Sequence, residues 1–218
     1  MMRAIPDLNA RVNLSGLYAI TPEDHETARL AAMVESALAG GVRLVQYRNK
    51  RAVPELKRNQ AAQLLLLCRT HGARLIINDD LALALALDAD GVHLGRNDGD
   101  IGAARAALGP GKLLGVSCYA DLECAANAAA AGADYLAFGS MYPSSTKPDA
   151  PPAPLTLLGE ARRRFRLPTA AIGGINRSNA AQTIAAGADL LSVVSDLFNA
   201  PDHPAIAARA RDYQRLFA

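Results

Sequence analysis

The chain has no tryptophan and only three cysteines, Cys68, Cys118 and Cys124. No C-x-x-C spacing appears, and the odd count argues against a disulfide framework. The first residues, MMRAIPDLNARVNLSG, lack the apolar core of a secretory signal, and no uninterrupted apolar run approaches membrane-spanning length. A reducing cytoplasm, with no membrane partner, is the default expectation. Charge of one sign is also missing. The net charge of +2 is too small to suggest a nucleic-acid partner. The densest basic cluster, Arg162, Arg163 and Arg164, falls in a helical pattern and reads as a solvated face. No G-x-G-x-x-G follows the first apolar run, which removes the usual dinucleotide fold, and no Ser-His-Asp or Cys-His arrangement stands out.

What is present is repetition. Half of the 218 residues are hydrophobic, enough for a substantial core in one domain. Eight short apolar runs alternate with longer helical patterns: 17–21, 42–48, 74–79, 91–95, 112–118, 135–140, 169–174 and 190–195. Each is apolar at successive positions, as expected of a strand covered on both sides. The stretch LALALALDAD could pass for a strand by its alternation, but Leu and Ala are strong helix formers, so a short helix is expected. A weak internal repeat, LAGGVRLV, LDADGVHL, AAGADYLA and AAGADLLS, introduces the even-numbered runs and fits a helix end followed by a strand. Strict alternation implies parallel strands with helical crossovers, and eight units fit a (β/α)₈ barrel, a TIM barrel. An open doubly wound sheet is the alternative. The expected organisation is a single domain over 1–218, with an N-terminal extension at 1–16 and an active-site loop at 140–154 after strand six.

A barrel predicts where function sits: at the C-terminal ends of its strands. Polar residues gather there. Gln46, Arg48 and Lys50 follow an i, i+2, i+4 spacing. On a continuing strand they would share one face and suit a multiply charged anion. In the competing view Arg48 and Lys50 already belong to a solvated loop. Asn78, Asp79 and Asp80 end run three, and Arg96, Asn97 and Asp98 follow run four. Carboxylates of Asp79 and Asp98 on neighbouring strands suit Mg²⁺, which keeps waters and takes phosphate oxygens. Alternatively Asp79 or Asp80 caps the next helix, and one aspartate can do each. Ser117 ends run five. Gly173 and Gly174 end run seven, where bare backbone can approach a ligand, and Val194 and Ser195 end run eight; loops after strands seven and eight often bind phosphate in barrels. His25 and His71 read as surface residues and His203 as a loop residue. His93 reads as a satisfied barrel residue, Cys118 as a small buried apolar one, and Tyr47 as packing between barrel and helices. The long segment FGSMYPSSTKPDAPPAP, with five prolines, three consecutive hydroxyl residues and Lys147, follows run six. Its length marks it as functional or disordered. A diphosphate with Mg²⁺ near strands two to four and a monophosphate near strands seven and eight suggest joining two phosphorylated molecules with loss of diphosphate.

Together GVRLVQYRNK, LIINDDLALALALDADGVHLGRND, GVS, SMYPSSTKPDAP and AIGGI run in an order that resembles the thiamine phosphate synthase family over almost the full chain. The resemblance implies a Mg²⁺-dependent (β/α)₈ transferase that couples a hydroxymethylpyrimidine diphosphate to a thiazole phosphate, giving thiamine phosphate and pyrophosphate. It implies pyrimidine-diphosphate contacts at Gln46, Arg48, Lys50, Asn78, Ser117 and Lys147, with Lys147, Arg48 and Ser117 closest to the chemistry. It implies metal carboxylates at Asp79 and Asp98. Thiazole-phosphate contacts are implied at Ser144, Ser145, Thr146, Gly174, Val194 and Ser195, with Gly173 beside them. A dissociative mechanism through a pyrimidine-methyl cation follows from the same resemblance, and it leaves a homo-oligomer open. Departures are Asp80 where many members have Arg, Arg96-Asn97 before Asp98, Cys118-Tyr119 after Ser117, and Ser144 for a usual Thr. A thiazole tautomerase of the same superfamily and a non-catalytic phospholigand-binding barrel are the alternatives. The tautomerases rely on a histidine near strand five, where this chain has Tyr119. The 140–154 loop is expected to act as a substrate-ordered lid, its prolines limiting the entropy lost on closure.

Overall fold

The computed structural model describes residues 14–96, 98–143 and 152–218. Eight parallel strands close into a barrel in sequence order: β1 (Gly16–Ile20), β2 (Leu44–Tyr47), β3 (Arg74–Asn78), β4 (Gly91–Leu94), β5 (Leu113–Tyr119), β6 (Tyr135–Phe138), β7 (Thr169–Ile172) and β8 (Leu190–Val193). β8 closes on β1 with Gly16 opposite Leu190. Each strand's ends fall within two residues of its expected apolar run. The crossovers are α1 (Thr27–Ala39), α2 (Pro54–Thr70), α3 (Leu81–Ala86), α4 (Ile101–Leu108), α5 (Leu122–Ala130), α6 (Thr156–Phe165) and α7 (Ala180–Ala185). A short α8 (Ser195–Phe198) and a longer α9 (His203–Arg215) follow β8, and α9 packs on α1. LALALALDAD does form a helix, as propensity predicts, with the Asp80 carboxylate accepting from Leu83 N at 2.9 Å to start it. Among the described residues no helix is long and apolar enough to cross a membrane.

The core has two parts, as a filled barrel requires. Outside the strands, Leu17, Val45, Leu75, Val92, Leu136 and Leu191 meet the helices in one large cluster. Inside, Tyr18, Leu44, Ile76, Leu113, Tyr135 and Leu190 fill the barrel with Leu14. Leu14 and Gly16 therefore belong to the barrel's structure rather than to an extension in front of it.

The internal repeat has a physical cause. Gly41, Gly132 and Gly187 turn out of their helices with φ of 100°, 93° and 116°, values that favour glycine. Three copies then place an aspartate two residues on, or at the equivalent step, whose carboxylate pins the backbone of the preceding strand. Asp90 accepts from Leu75 N at 2.7 Å, Asp134 from Leu114 N at 2.7 Å, and Asp189 from Thr169 N at 3.0 Å. In the first copy Arg43 occupies that position and donates to Val42 O instead.

Candidate active site

The strands point their alternate residues into the barrel, and the last inward residue of several is polar. Gln46 of β2, Asn78 of β3, His93 of β4, Ser117 of β5 and Ser192 of β8 form a polar layer under the C-terminal mouth. Ser117 precedes a register shift against β6, between Ser117 and Tyr119. The extra residue, Cys118, is fully buried, and burial pushes its thiol far above the ordinary range, so it is a packing residue as expected. Tyr47 also packs as expected, with its hydroxyl donating to Gln60 Oε1 at 2.9 Å. His25 is exposed, but His71 is half-buried, with Nδ1 3.0 Å from Leu67 O, a correction to its surface assignment.

Expected on one continuing strand face, Gln46, Arg48 and Lys50 part company. β2 ends at Tyr47, so Gln46 stays buried in the barrel while Arg48 and Lys50 leave on the β2–α2 loop. Tertiary contacts decide this. Thr21 N donates to Gln46 O at 2.9 Å, and Arg48 N donates to Thr21 Oγ1 at 2.9 Å, tying the loop to the end of β1. Buried Asn49 donates to Asp24 O at 2.8 Å and to Gln60 Oε1 at 3.1 Å, while Gln60 Nε2 donates to Asp24 O at 2.9 Å. The loop is therefore held rigidly and both cations remain at the mouth. Arg48 lies 3.2 Å from Glu23, and Lys50 lies 2.9 Å from Asp79 Oδ2.

Asp79 adopts a left-handed backbone, φ 63°, which non-glycine residues seldom do outside constrained sites. Its N–H donates to His93 O at 2.8 Å, which holds the turn against β4. Asp98 is fixed by Gly95 N, which donates to its Oδ2 at 2.8 Å. The two carboxyl groups are near enough to perturb each other's ionisation. Burial pushes the Asp98 carboxyl up, and its neighbour Asp79 pushes the same way. Burial acts against Asp79 as well, but the interactions with Lys50 and Asp98 and the Lys50 charge outweigh it and hold Asp79 below the ordinary range. Like charges this close favour a shared proton or a cation between them. Asp80 is the helix cap, so capping and the carboxylate pair fall to adjacent residues. A cavity of about 500 Å³ opens beside the pair, lined by Lys50, Asn78, Asp79, Asp98 and Lys57. Among the described residues no cluster of three His, Cys, Asp or Glu side chains could hold a metal. The donor set is two carboxylates, which fits a hard dication that keeps open positions for water and phosphate oxygens.

On the other side of the mouth, Gly173 and Gly174 have φ of 99° and 62°. A Cβ on Gly173 would lie 2.1 Å from Ser140 Oγ, and one on Gly174 2.4 Å from Pro143 O. The segment leaving β6 passes directly over them, with Met141 N donating to Ile172 O at 2.9 Å and Tyr142 N to Gly173 O at 3.0 Å. The double glycine thus meets a packing demand that its sequence alone did not reveal. Val194 and Ser195 lie half-buried at the start of α8. Ser144, Ser145, Thr146 and Lys147, and with them the lid expectation, lie outside the described residues. The segment's described ends meet, with Ala153 N donating to Ser140 O at 2.8 Å. The departures at Arg96 and Tyr119 pair with each other: the Arg96 guanidinium lies 5.0 Å over the Tyr119 ring and 3.7 Å from Asp121.

Sequence reasoning missed Glu23 and Asn49, whose places depend on contacts between separate loops, and Lys57, which α2 carries to the cavity. It also missed the tyrosines that link the polar layer, because buried Tyr reads as core.

A family model described as thiamine monophosphate synthase matches residues 17–197. The thiamine-phosphate synthase of Aromatoleum aromaticum is 56% identical over 204 residues, covering 94% of this chain and 97% of that protein. That of Methylobacillus flagellatus is also 56% identical over 204 residues, covering 94% and 96%. Among solved structures, thiamine phosphate pyrophosphorylase from Pyrococcus furiosus superposes with a TM-score of 0.82 at 33% identity, covering 95% of this chain and 97% of that one. The extent of these matches, with the barrel and its polar mouth, shows that the chain belongs to the thiamine monophosphate synthase family.

Proposed function

We propose that this chain is a thiamine-phosphate synthase, a transferase that joins 4-amino-2-methyl-5-(diphosphooxymethyl)pyrimidine to a thiazole phosphate and releases pyrophosphate. The observation that carries the reading is the meeting of Asp79 and Asp98 with Lys50 at the mouth, where Arg48 leaves on the same β2–α2 loop, above the Gln46–Ser117 layer. Asp79 and Asp98 would hold Mg²⁺, which when bound neutralises charge on the diphosphate. Arg48 and Lys50 exchange their carboxylate partners for diphosphate oxygens, and Asn78 with Lys147 completes that half of the site. Gln46 and Ser117 orient the pyrimidine ring. Residues 144–146, Gly173, Gly174, Val194 and Ser195 hold the thiazole phosphate.

The bond between the pyrimidine methylene carbon and the diphosphate oxygen breaks, with both electrons leaving on oxygen. The methylene cation is stabilised by its amino-substituted ring, and the thiazole nitrogen lone pair forms the new C–N bond. No proton needs to be removed, so no general base or covalent nucleophile is required. The protein positions the partners and stabilises the leaving charge. Three unpaired thiols support a cytoplasmic setting.

A coupled pyrophosphate-release assay with both substrates and Mg²⁺ tests this. Asp98→Ala and Lys147→Ala should each lower kcat by about 10²-fold or more, the usual scale for losing a group that stabilises transition-state charge. No release while both substrates bind would refute the function. Isomerisation of the thiazole phosphate without a pyrimidine substrate would identify a tautomerase. Pyrophosphate binding indifferent to Mg²⁺, without product, would identify a binding protein.

A further inference from the structure

The polar side chains beneath the mouth form one continuous chain. Gln46 Nε2 donates to the Tyr18 hydroxyl at 2.7 Å. The Tyr18 and Tyr135 hydroxyls are 2.7 Å apart, and the Tyr135 hydroxyl is 3.0 Å from His93 Nδ1. His93 Nε2 is 2.8 Å from Ser117 Oγ. Five residues from five strands thereby join Gln46 to Ser117 through the barrel interior. Ring packing holds them in place: the tyrosines meet edge to face at 5.7 Å, and the imidazole stacks on Tyr135 at 5.6 Å.

Proton counting gives the chain a direction. An amide nitrogen only donates, and each hydroxyl has one proton to give. The Tyr18 oxygen accepts from Gln46, so its own proton goes to Tyr135. Tyr135 then gives its proton to His93 Nδ1. An accepting Nδ1 puts the ring proton on Nε2, which donates to Ser117 Oγ. The Ser117 proton is the one left over, and it is available at the mouth. Neither phenol can relax this order by ionising, because burial drives both far above their ordinary range.

We propose that Tyr18, Tyr135 and His93 are positioning residues that fix the Ser117 hydroxyl as a hydrogen-bond donor facing the mouth, so that the site selects a ligand presenting an unprotonated acceptor at that point. The proposal rests on the reading of Ser117 as a substrate contact. A ligand offering an N–H or O–H there would meet a second donor and leave both unpaired.

The ring nitrogens of His93 report the order directly. Selective ¹⁵N NMR of the ligand-free protein should show Nε2 protonated and Nδ1 not. In Tyr135→Phe, Nδ1 loses its donor, and a population protonated at Nδ1 should appear. KM for the pyrimidine diphosphate should rise about three- to tenfold, the value of one ordinary hydrogen bond, with kcat within about twofold. A purely structural role for Tyr135 would lower the melting temperature without moving the tautomer. Binding of inorganic pyrophosphate alone and of the unphosphorylated pyrimidine alcohol then locates the acceptor. A loss confined to the alcohol names a ring nitrogen, a loss with pyrophosphate names a phosphate oxygen, and either supports the donor. A parent ring protonated at Nδ1 means that the protons run from Ser117 toward Tyr18 and overturns the proposal, as does a doubly protonated ring. An unchanged tautomer and KM in Tyr135→Phe overturn it too. Should that variant not fold, Tyr18→Phe serves: with the link from Gln46 gone nothing obliges Tyr135 to donate to His93, so a population protonated at Nδ1 should appear, and an unchanged tautomer and KM refute the ordered chain. The tautomer needs no substrate. An Nε2–H ring in a protein without synthase activity would therefore fault the proposed function and not the ordered chain.

Discussion

Gly115→Ala should destabilise the barrel by about 3–5 kcal/mol, through one contact. In the sheet Gly115 lies between His93 of β4 and Tyr135 of β6. The Tyr135 ring folds across the bare Cα to reach the imidazole. A Cβ there would lie 2.0 Å from the ring's Cζ and 2.2 Å from its hydroxyl oxygen. Ordinary carbon contacts begin near ~3.5 Å, so the ring would have to retreat by about 1.5 Å. It has nowhere open to go, being fully buried between Tyr18 and His93. The retreat would break its bonds to Tyr18 and His93, each worth about 1 kcal/mol, and overpacking adds about 1–3 kcal/mol. For a urea dependence of about 3 kcal/mol per molar, the unfolding midpoint should fall by about 1–1.7 M. The same substitution in a Tyr135→Leu background should cost less than about 1 kcal/mol, because leucine lacks the clashing atoms; the difference is a coupling energy. A Gly115→Ala midpoint within about 0.3 M of the parent would refute the placement of the ring, and with it the link from Tyr135 to His93.

Asp80→Ala should cost about 1 kcal/mol by uncapping α3, while Asp80→Asn should cost only a few tenths, both read by urea unfolding. Asp24 accepts two bonds from Arg29, at 2.7 and 2.6 Å, and one from Glu26 N at 2.7 Å. The Arg29 bond holds its carboxyl below the ordinary range. Its contribution is therefore complete above the unfolded pKa, about 4, and is lost as pH falls through the lower folded value. Asp24→Asn should be less stable than the parent at pH 7, and the gap should close below about pH 4; a gap that widens on acidification would contradict the assignment.

The strands were legible because a barrel buries both faces of each one. Continuous apolar runs of four to seven residues, separated by Ala- and Leu-rich helical patterns, admit few other folds. The same topology is what places the candidate site in the sequence, since it puts every strand's C-terminal end on one face. The paired carboxylates followed from that, as Asp79 and Asp98 lie in the loops that follow adjacent strands. Where local spacing alone was used, it misled. The Gln46-Arg48-Lys50 alternation looks like a strand face, but Thr21 and Asn49 end β2 at Tyr47, and neither contact is visible in the local pattern. The double glycine reads equally as a phosphate cradle or as a crossing point for the segment after β6.

The interior hydrogen-bond chain shows the limit most clearly. Five of the eight strands contribute one member each, and in each run that member is outnumbered by apolar neighbours. Tyr18 and Tyr135 look like filler, and their hydroxyls meet across 117 residues of sequence. Periodicity assigns such residues an inward direction and nothing more. A partner is then required, because a buried hydroxyl without one is costly. Inward-pointing Gln, Tyr, Tyr, His and Ser at neighbouring levels of a closed barrel can satisfy that demand in one another. The sequence therefore shows that these groups are buried together, and barrel closure, which brings β1, β2, β4, β5 and β6 around one axis, determines which of them meet.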